Sequence, residues 1–189
     1  MSFLAFSSPL AARRAFLGQS GLLLSGAAVA LLAGKDALAQ KSGGTKANDA
    51  TILNTALAAE LEAVAAYQVG AESGLLEKPI LAIAAQFQGD HKEHADILAQ
   101  TIRKLGGKPA EPKSRYEFPT SSLKSQADVL RFAAGLEKGA VSAYLGAVPL
   151  FQQRELAKAA ASILGDEAMH WAVLRQALGE NPVPSAFVS

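Results

Sequence analysis

The chain has three histidines, and all of them sit in a short acidic motif that occurs twice. Gly89-Asp90-His91-Lys92-Glu93-His94 and Gly165-Asp166-Glu167-Ala168-Met169-His170 share the order G-D-[E/H]-x-x-H. On a helix, side chains three residues apart lie on one face, about one turn from each other. Carboxylate oxygens and imidazole nitrogens on such a face are ligands for divalent first-row metals. When two helices of this kind face each other in a four-helix bundle, one Glu from each remaining helix completes a dinuclear site. The chemistry therefore asks for two more buried glutamates on two more helices.

Glu60 and Glu137 answer that requirement. Glu60-x-x-Ala63-Val64-x-Ala66-Tyr67 matches Glu137-x-x-Ala140-Val141-x-Ala143-Tyr144. From Glu60 to His94 is 34 residues and from Glu137 to His170 is 33, so the chain reads as two copies of one helical hairpin. Spacings of three and four put Leu53, Leu57, Glu60, Val64 and Tyr67 on one stripe, and Leu130, Glu137, Val141 and Tyr144 on another. Phe87, either Asp90 or His91, His94 and Leu98 form a third, and Ile163, Glu167, His170 and Leu174 a fourth. A buried, unpaired carboxylate costs on the order of several kcal/mol, so glutamates on these stripes need a partner. Glu62 and Glu93 fall off the stripes and are expected in solvent or beside a neighbouring charge. The tyrosine hydroxyls are expected to bond a buried carboxylate, and Trp171 to pack. Gly89 and Gly165, costly in mid-helix, suggest close helix approach or a bulge beside the site.

The positioning elements are four predicted helices. The first starts near Asn48–Thr51 and runs to about Ser73; the second runs from Pro79 to Gly106-Gly107. The third starts at Ser125, where Ser125-x-x-Asp128 is a capping-box variant, and stops before Pro149. The fourth extends from about Leu150 to Leu178, closed by Gly179 and Pro182. Short links make each consecutive pair an antiparallel hairpin. Between the hairpins, Gly107 to Lys124 has no helical period. A helix of about 27 residues is roughly 40 Å long. An extended stretch of about 18 residues reaches up to ~60 Å, enough for one crossover along the bundle. The expected fold is all-α, two antiparallel hairpins joined by one long crossover.

Residues 1–39 read as an export leader. Arg13-Arg14-Ala15-Phe16-Leu17 resembles the twin-arginine signature, Leu22–Ala33 is a short apolar run, and Ala37-Leu38-Ala39 is a small-x-small cleavage site. The expected organisation is therefore leader 1–39, flexible N-terminus 40–48, bundle 49–180 and C-terminal tail 181–189. Cleavage leaves no stable membrane insertion of the mature chain. Losing the leader's three cations and one anion takes the net charge from +1 to −1, with no basic stripe for nucleic acid. The absence of cysteine excludes disulfides, thiolate metal sites and a catalytic thiol.

The repeated motif, its stripe position and the crossover together resemble the ferritin-like superfamily of di-iron and di-manganese carboxylate proteins, in particular its short exported members. The resemblance covers Asp49 to about Gly179. It implies that Glu60 and Glu137 are terminal carboxylate ligands, Glu167 a bridging one, and His94 and His170 terminal imidazoles. His91 stands where the pattern has a second bridging Glu. It is either a ligand of an asymmetric or single-metal site, or Asp90 restores the missing charge. The implied cofactor is one or two ions of iron or manganese, with redox chemistry toward oxygen or peroxide. A bundle that kept the fold for binding or stress protection, with a degenerate site, is the other reading. Expected partners are metal ions, small oxidants and the twin-arginine export machinery, in the periplasm or beyond. Homo-oligomerisation stays open.

Overall fold

In the computed structural model, which describes residues 45–188, four α-helices form: α1 (Thr45–Glu72), α2 (Lys78–Lys104), α3 (Gln126–Ala147) and α4 (Arg154–Ala177). The expected leader, residues 1–39, lies outside the described residues. No helix among those described is long and apolar enough to cross a membrane. The local signals act as expected at most ends. Pro79 lies in the first turn of α2, and Ser125 caps α3 by accepting from the backbone N–H of Asp128. Gly106, at φ 83°, turns the chain out of α2 in the left-handed region.

Two boundaries differ from expectation. α1 begins at Thr45, so the end of the stretch expected to be flexible is helical; extending an existing helix adds a hydrogen bond per residue without a new nucleus. α4 begins at Arg154 instead of near Leu150. Pro149 sits in a 3-10 turn, Val148–Leu150, after which Phe151 is extended and the chain reverses.

α1 packs along α2, and α3 along α4. Two contacts orient the hairpins. The backbone N–H of Glu77, in the α1–α2 turn, donates to Gln126 Oε1 at the start of α3, at 2.8 Å. At the other end, Asp49 of α1 meets the α3–α4 turn. α1 and α3 are therefore antiparallel, and residues 105–125 travel the length of the bundle. Asn54 pins this crossover at its start, bonding Lys108 O at 2.9 Å and Ala110 N at 2.7 Å. Phe118 packs edge-on against Phe132 near its end.

The interior has two apolar layers. One contains Leu53, Leu57, Leu98, Ile102, Tyr144 and Ile163; the other contains Tyr67, Phe87, Leu130 and Leu174. Each layer holds one of the repeated tyrosines, and the polar stripe residues lie between them. Asp49 is a further buried carboxylate, fully enclosed, that accepts from the backbone N–H groups of Gln152 and Gln153 and from Gln153 Nε2 at 2.9–3.2 Å. It satisfies donors at the start of α4 from across the bundle. Asp49→Ala strands those donors and is expected to cost about 2–4 kcal/mol. The measurement is chemical denaturation: a lower midpoint at unchanged slope is expected, and an unchanged midpoint would show the contact to be dispensable.

Candidate metal centre

Helical spacing brings all six candidate residues to one level of the bundle. Glu60 comes from α1, His91 and His94 from α2, Glu137 from α3, and Glu167 and His170 from α4. Five are at most 3% exposed, and the His94 side chain is 14% exposed. Ligand atoms of Glu60, His91, His94 and Glu167 lie within 4.8 Å of one another, as do those of His91, Glu137, Glu167 and His170. These are two half-sites sharing His91 and Glu167. Each oxygen of Glu167 serves one side, Oε1 lying 3.2 Å from His94 Nδ1 and Oε2 3.8 Å from His170 Nδ1. His91 is the mate of Glu167 in the repeat, and it also faces both sides. Its Nδ1 is 2.8 Å from Glu60 Oε2 and its Nε2 3.3 Å from Glu137 Oε1.

The surrounding contacts follow the same two-fold pattern. Tyr144 donates to Glu60 Oε1 at 2.5 Å, and Tyr67 donates to Glu137 Oε1. Each tyrosine thus bonds the glutamate of the opposite hairpin, as the antiparallel α1–α3 pair dictates. On the outer side, His94 Nε2 is 3.4 Å from Asp166 Oδ2, and His170 Nε2 is 3.2 Å from Asp90 Oδ2. A carboxylate behind an imidazole fixes which nitrogen carries the proton and turns the other, here Nδ1, inward. Phe87 stacks on the His170 ring with centroids 4.0 Å apart.

The inward atoms are underused. His94 Nδ1, His170 Nδ1, Glu137 Oε2 and both oxygens of Glu167 are buried without a hydrogen-bond partner among the described residues. Buried polar atoms are satisfied in the great majority of cases. Orphans of this type, oxygen from carboxylates and nitrogen from imidazoles, fit a divalent metal ion.

Protons respond to the same charges. Burial alone would lower the imidazoles, but hydrogen bonds to Glu137 and Glu60 raise His91 to about 11. Contacts with Glu167 and Glu60 likewise raise His94 to about 9, and contacts with Glu137 and Glu167 raise His170 to about 10. Burial pushes Glu167 up to about 7 against the opposing pull of His170 and His94. Glu60 and Glu137 fall below the usual carboxylate range, because imidazole hydrogen bonds outweigh their burial. Burial and the facing carboxylates hold both tyrosines protonated, as donors.

The structure decides some details that the sequence left open and alters others. Of Asp90 and His91, it is His91 that is buried inward, while Asp90 supports His170. A Cβ added at Gly89 or Gly165 would meet nothing within 4 Å, and the helix is unbroken there. Neither close approach nor a bulge explains them; both border open space. Glu62 is half-buried with Oε2 unpartnered, and Glu93 is exposed with no ion pair among the described residues. Trp171 packs as expected, with Lys138 and Arg175 over its ring. The aspartates' role was signalled only by their repetition beside His91 and Glu167.

Held free of metal, the protein should lose stability in alkali. Imidazoles raised above 6.5 stabilise fully below that pH and lose the contribution as pH rises through about 9 to 11. Glu167, raised from 4.5, acts in the same direction, losing its contribution as pH rises through about 7. Glu60 and Glu137 contribute above 4.5 and lose it as pH falls. The melting temperature of chelator-treated protein should fall between about pH 6 and about pH 9, and His94→Gln/His170→Gln should flatten the decline. A wild-type profile already flat there would contradict this electrostatic account.

The sequence signature of the ferritin-like domain matches residues 48–180. The crystal structure of a conserved hypothetical protein, rv2844, from Mycobacterium tuberculosis shares the fold, with a TM-score of 0.64 at 22% identity over 74% of this chain and 96% of that one. No curated relative matches. With the bundle and the signature coinciding over most of the sequence, the chain belongs to the ferritin-like domain family.

Proposed function

We propose that this ferritin-like domain is an exported metalloprotein that binds iron or manganese between its hairpins and reacts with oxygen or peroxide. The observation that carries the reading is the set of orphaned, inward-facing atoms on His94, Glu137, Glu167 and His170. The Arg13-Arg14 motif supports export of a folded protein already loaded inside the cell.

A bound iron or manganese ion would supply one-electron redox chemistry and open positions for a small oxidant. Candidate ligands are Glu60, Glu137 and Glu167 with the Nδ1 atoms of His94 and His170, and His91 where it coordinates. Asp90 and Asp166 hold the outer imidazole protons and keep Nδ1 free to face inward. Tyr67 and Tyr144 donate to Glu137 and Glu60, reducing the freedom of these carboxylates to swing. The two apolar layers keep water from the centre along the bundle axis. A small oxidant has a shorter approach between α2 and α4. These helices touch sparingly, Gly89 and Gly165 leave space, and Asp90 and Asp166 are about one-third exposed. Without cysteine the chain has no thiolate electron-transfer centre, so its reductant would be a separate molecule. One observation favours a second reading, a binding or protective domain with a degenerate site: His91 in place of a bridging carboxylate.

Metal analysis of the mature protein from its own host separates the two. Iron or manganese near stoichiometry, reduced to background in Glu137→Ala/Glu167→Ala, supports the metalloprotein, as does oxidant consumption that fails in the same variant. Metal-free protein whose melting ignores a chelator would overturn it in favour of the second reading. Within the metalloprotein reading, Asp166→Asn should weaken metal binding by about 10–100-fold with the fold unchanged. Unaltered affinity in a metal titration would remove the aspartate from this role.

A further inference from the structure

We infer that the centre takes a single divalent ion, held by Glu137, Glu167 and His170, and that the His91–Glu60 pair occupies the second metal position. The inference rests on the metalloprotein reading and concerns how many ions it involves. Its basis is that the two half-sites, alike in topology, are unlike in hydrogen bonding. Glu60 has both oxygens engaged, Oε1 by Tyr144 at 2.5 Å and Oε2 by His91 Nδ1 at 2.8 Å. Glu137 keeps Oε2 unpartnered, Glu167 keeps both oxygens, and His170 keeps Nδ1. Of the orphaned centre atoms, Glu137 Oε2, Glu167 Oε2 and His170 Nδ1 lie on the α3–α4 side, against His94 Nδ1 and Glu167 Oε1 on the other, where the carboxylate from α1 has no oxygen left.

The charge count agrees. The His91 ring is set between two carboxylates, its Nδ1 2.8 Å from Glu60 Oε2 and its Nε2 3.3 Å from Glu137 Oε1. Glu60, Glu137 and Glu167 are the buried carboxylates facing the centre, and one divalent ion does not exceed their charge. A second divalent ion would leave the interior net positive, which a bundle core tolerates poorly. His91 is 1% exposed and Glu167 fully enclosed, so no solvent reaches either to screen the excess. An imidazole nitrogen that shares its proton with a carboxylate also has no lone pair to offer a metal.

The test is an anaerobic titration of the mature protein with Mn(II) alone, counting bound ions and recording the electron paramagnetic resonance spectrum. One ion per chain with the spectrum of an isolated Mn(II) is expected. Glu137→Gln should lose that ion. His91→Glu, which restores the carboxylate present at Glu167 in the other half, should take two ions and give an exchange-coupled spectrum. Should His91→Glu fail to fold, the shorter His91→Asp serves in its place. Two ions in the wild-type chain would overturn the inference and leave the proposed function standing. A His91 carboxylate variant that folds but still takes one ion would also overturn it. No bound Mn(II) or iron in any form would overturn both.

Discussion

A cluster of carboxylates and imidazoles at the middle of an apolar bundle is stable only if its charges cancel, and the rest of this structure is arranged around that constraint. Glu60, His91, Glu137, Glu167 and His170 are each at most 3% exposed. Desolvating a charge costs several kcal/mol even after relaxation, at the order-of-magnitude level. Part of the cancellation is internal: imidazoles rise in basicity and Glu60 and Glu137 fall, each stabilising the other. That leaves Glu167, which burial pushes toward neutrality, and the unpartnered nitrogens of His94 and His170. A cation held by Glu137, Glu167 and His170 would satisfy the atoms of the α3–α4 side.

The duplicated hairpin is what makes such a cluster buildable. A helix delivers two ligands of its own only at three- or four-residue spacing, so four helices are needed to surround an ion. Reciprocal tyrosines then tie the hairpins across the centre, Tyr67 to Glu137 and Tyr144 to Glu60. On the outer side the pattern is looser, with Asp90 behind His170 and Asp166 3.4 Å from both His94 and His170. Among the inward-facing residues the symmetry breaks at His91 against Glu167. The single exchange of an imidazole for a carboxylate changes the charge of the centre at a position as deeply buried as its mate.

Much of this was legible beforehand because it depends on local rules. The stripe spacing of Glu60, Glu137, Glu167, His94 and His170 named the interior side chains, and Ser125 with Asp128 announced the start of α3. The three- and four-residue periods also gave four helices, and the long aperiodic stretch gave the crossover. What stayed hidden depends on contacts between distant segments. Asp49 satisfies donors about a hundred residues away at the start of α4, and no local pattern marks a cap supplied from another helix. That each tyrosine bonds the opposite glutamate follows from the antiparallel offset of α1 and α3. The start of α4 moved to Arg154 because Pro149 shapes a turn that apolar periodicity runs through. Gly89 and Gly165 suggested contact but border space, since a missing side chain is equally consistent with either.

The claim that the inward atoms exist to hold a metal is tested most directly by anomalous X-ray scattering at the iron and manganese edges, on crystals of the mature protein purified from its host. A peak within bonding distance of Glu137, Glu167 and His170 Nδ1 is the result the account predicts. Density showing those same atoms closed onto one another or onto water, with no anomalous signal at either edge, would contradict it.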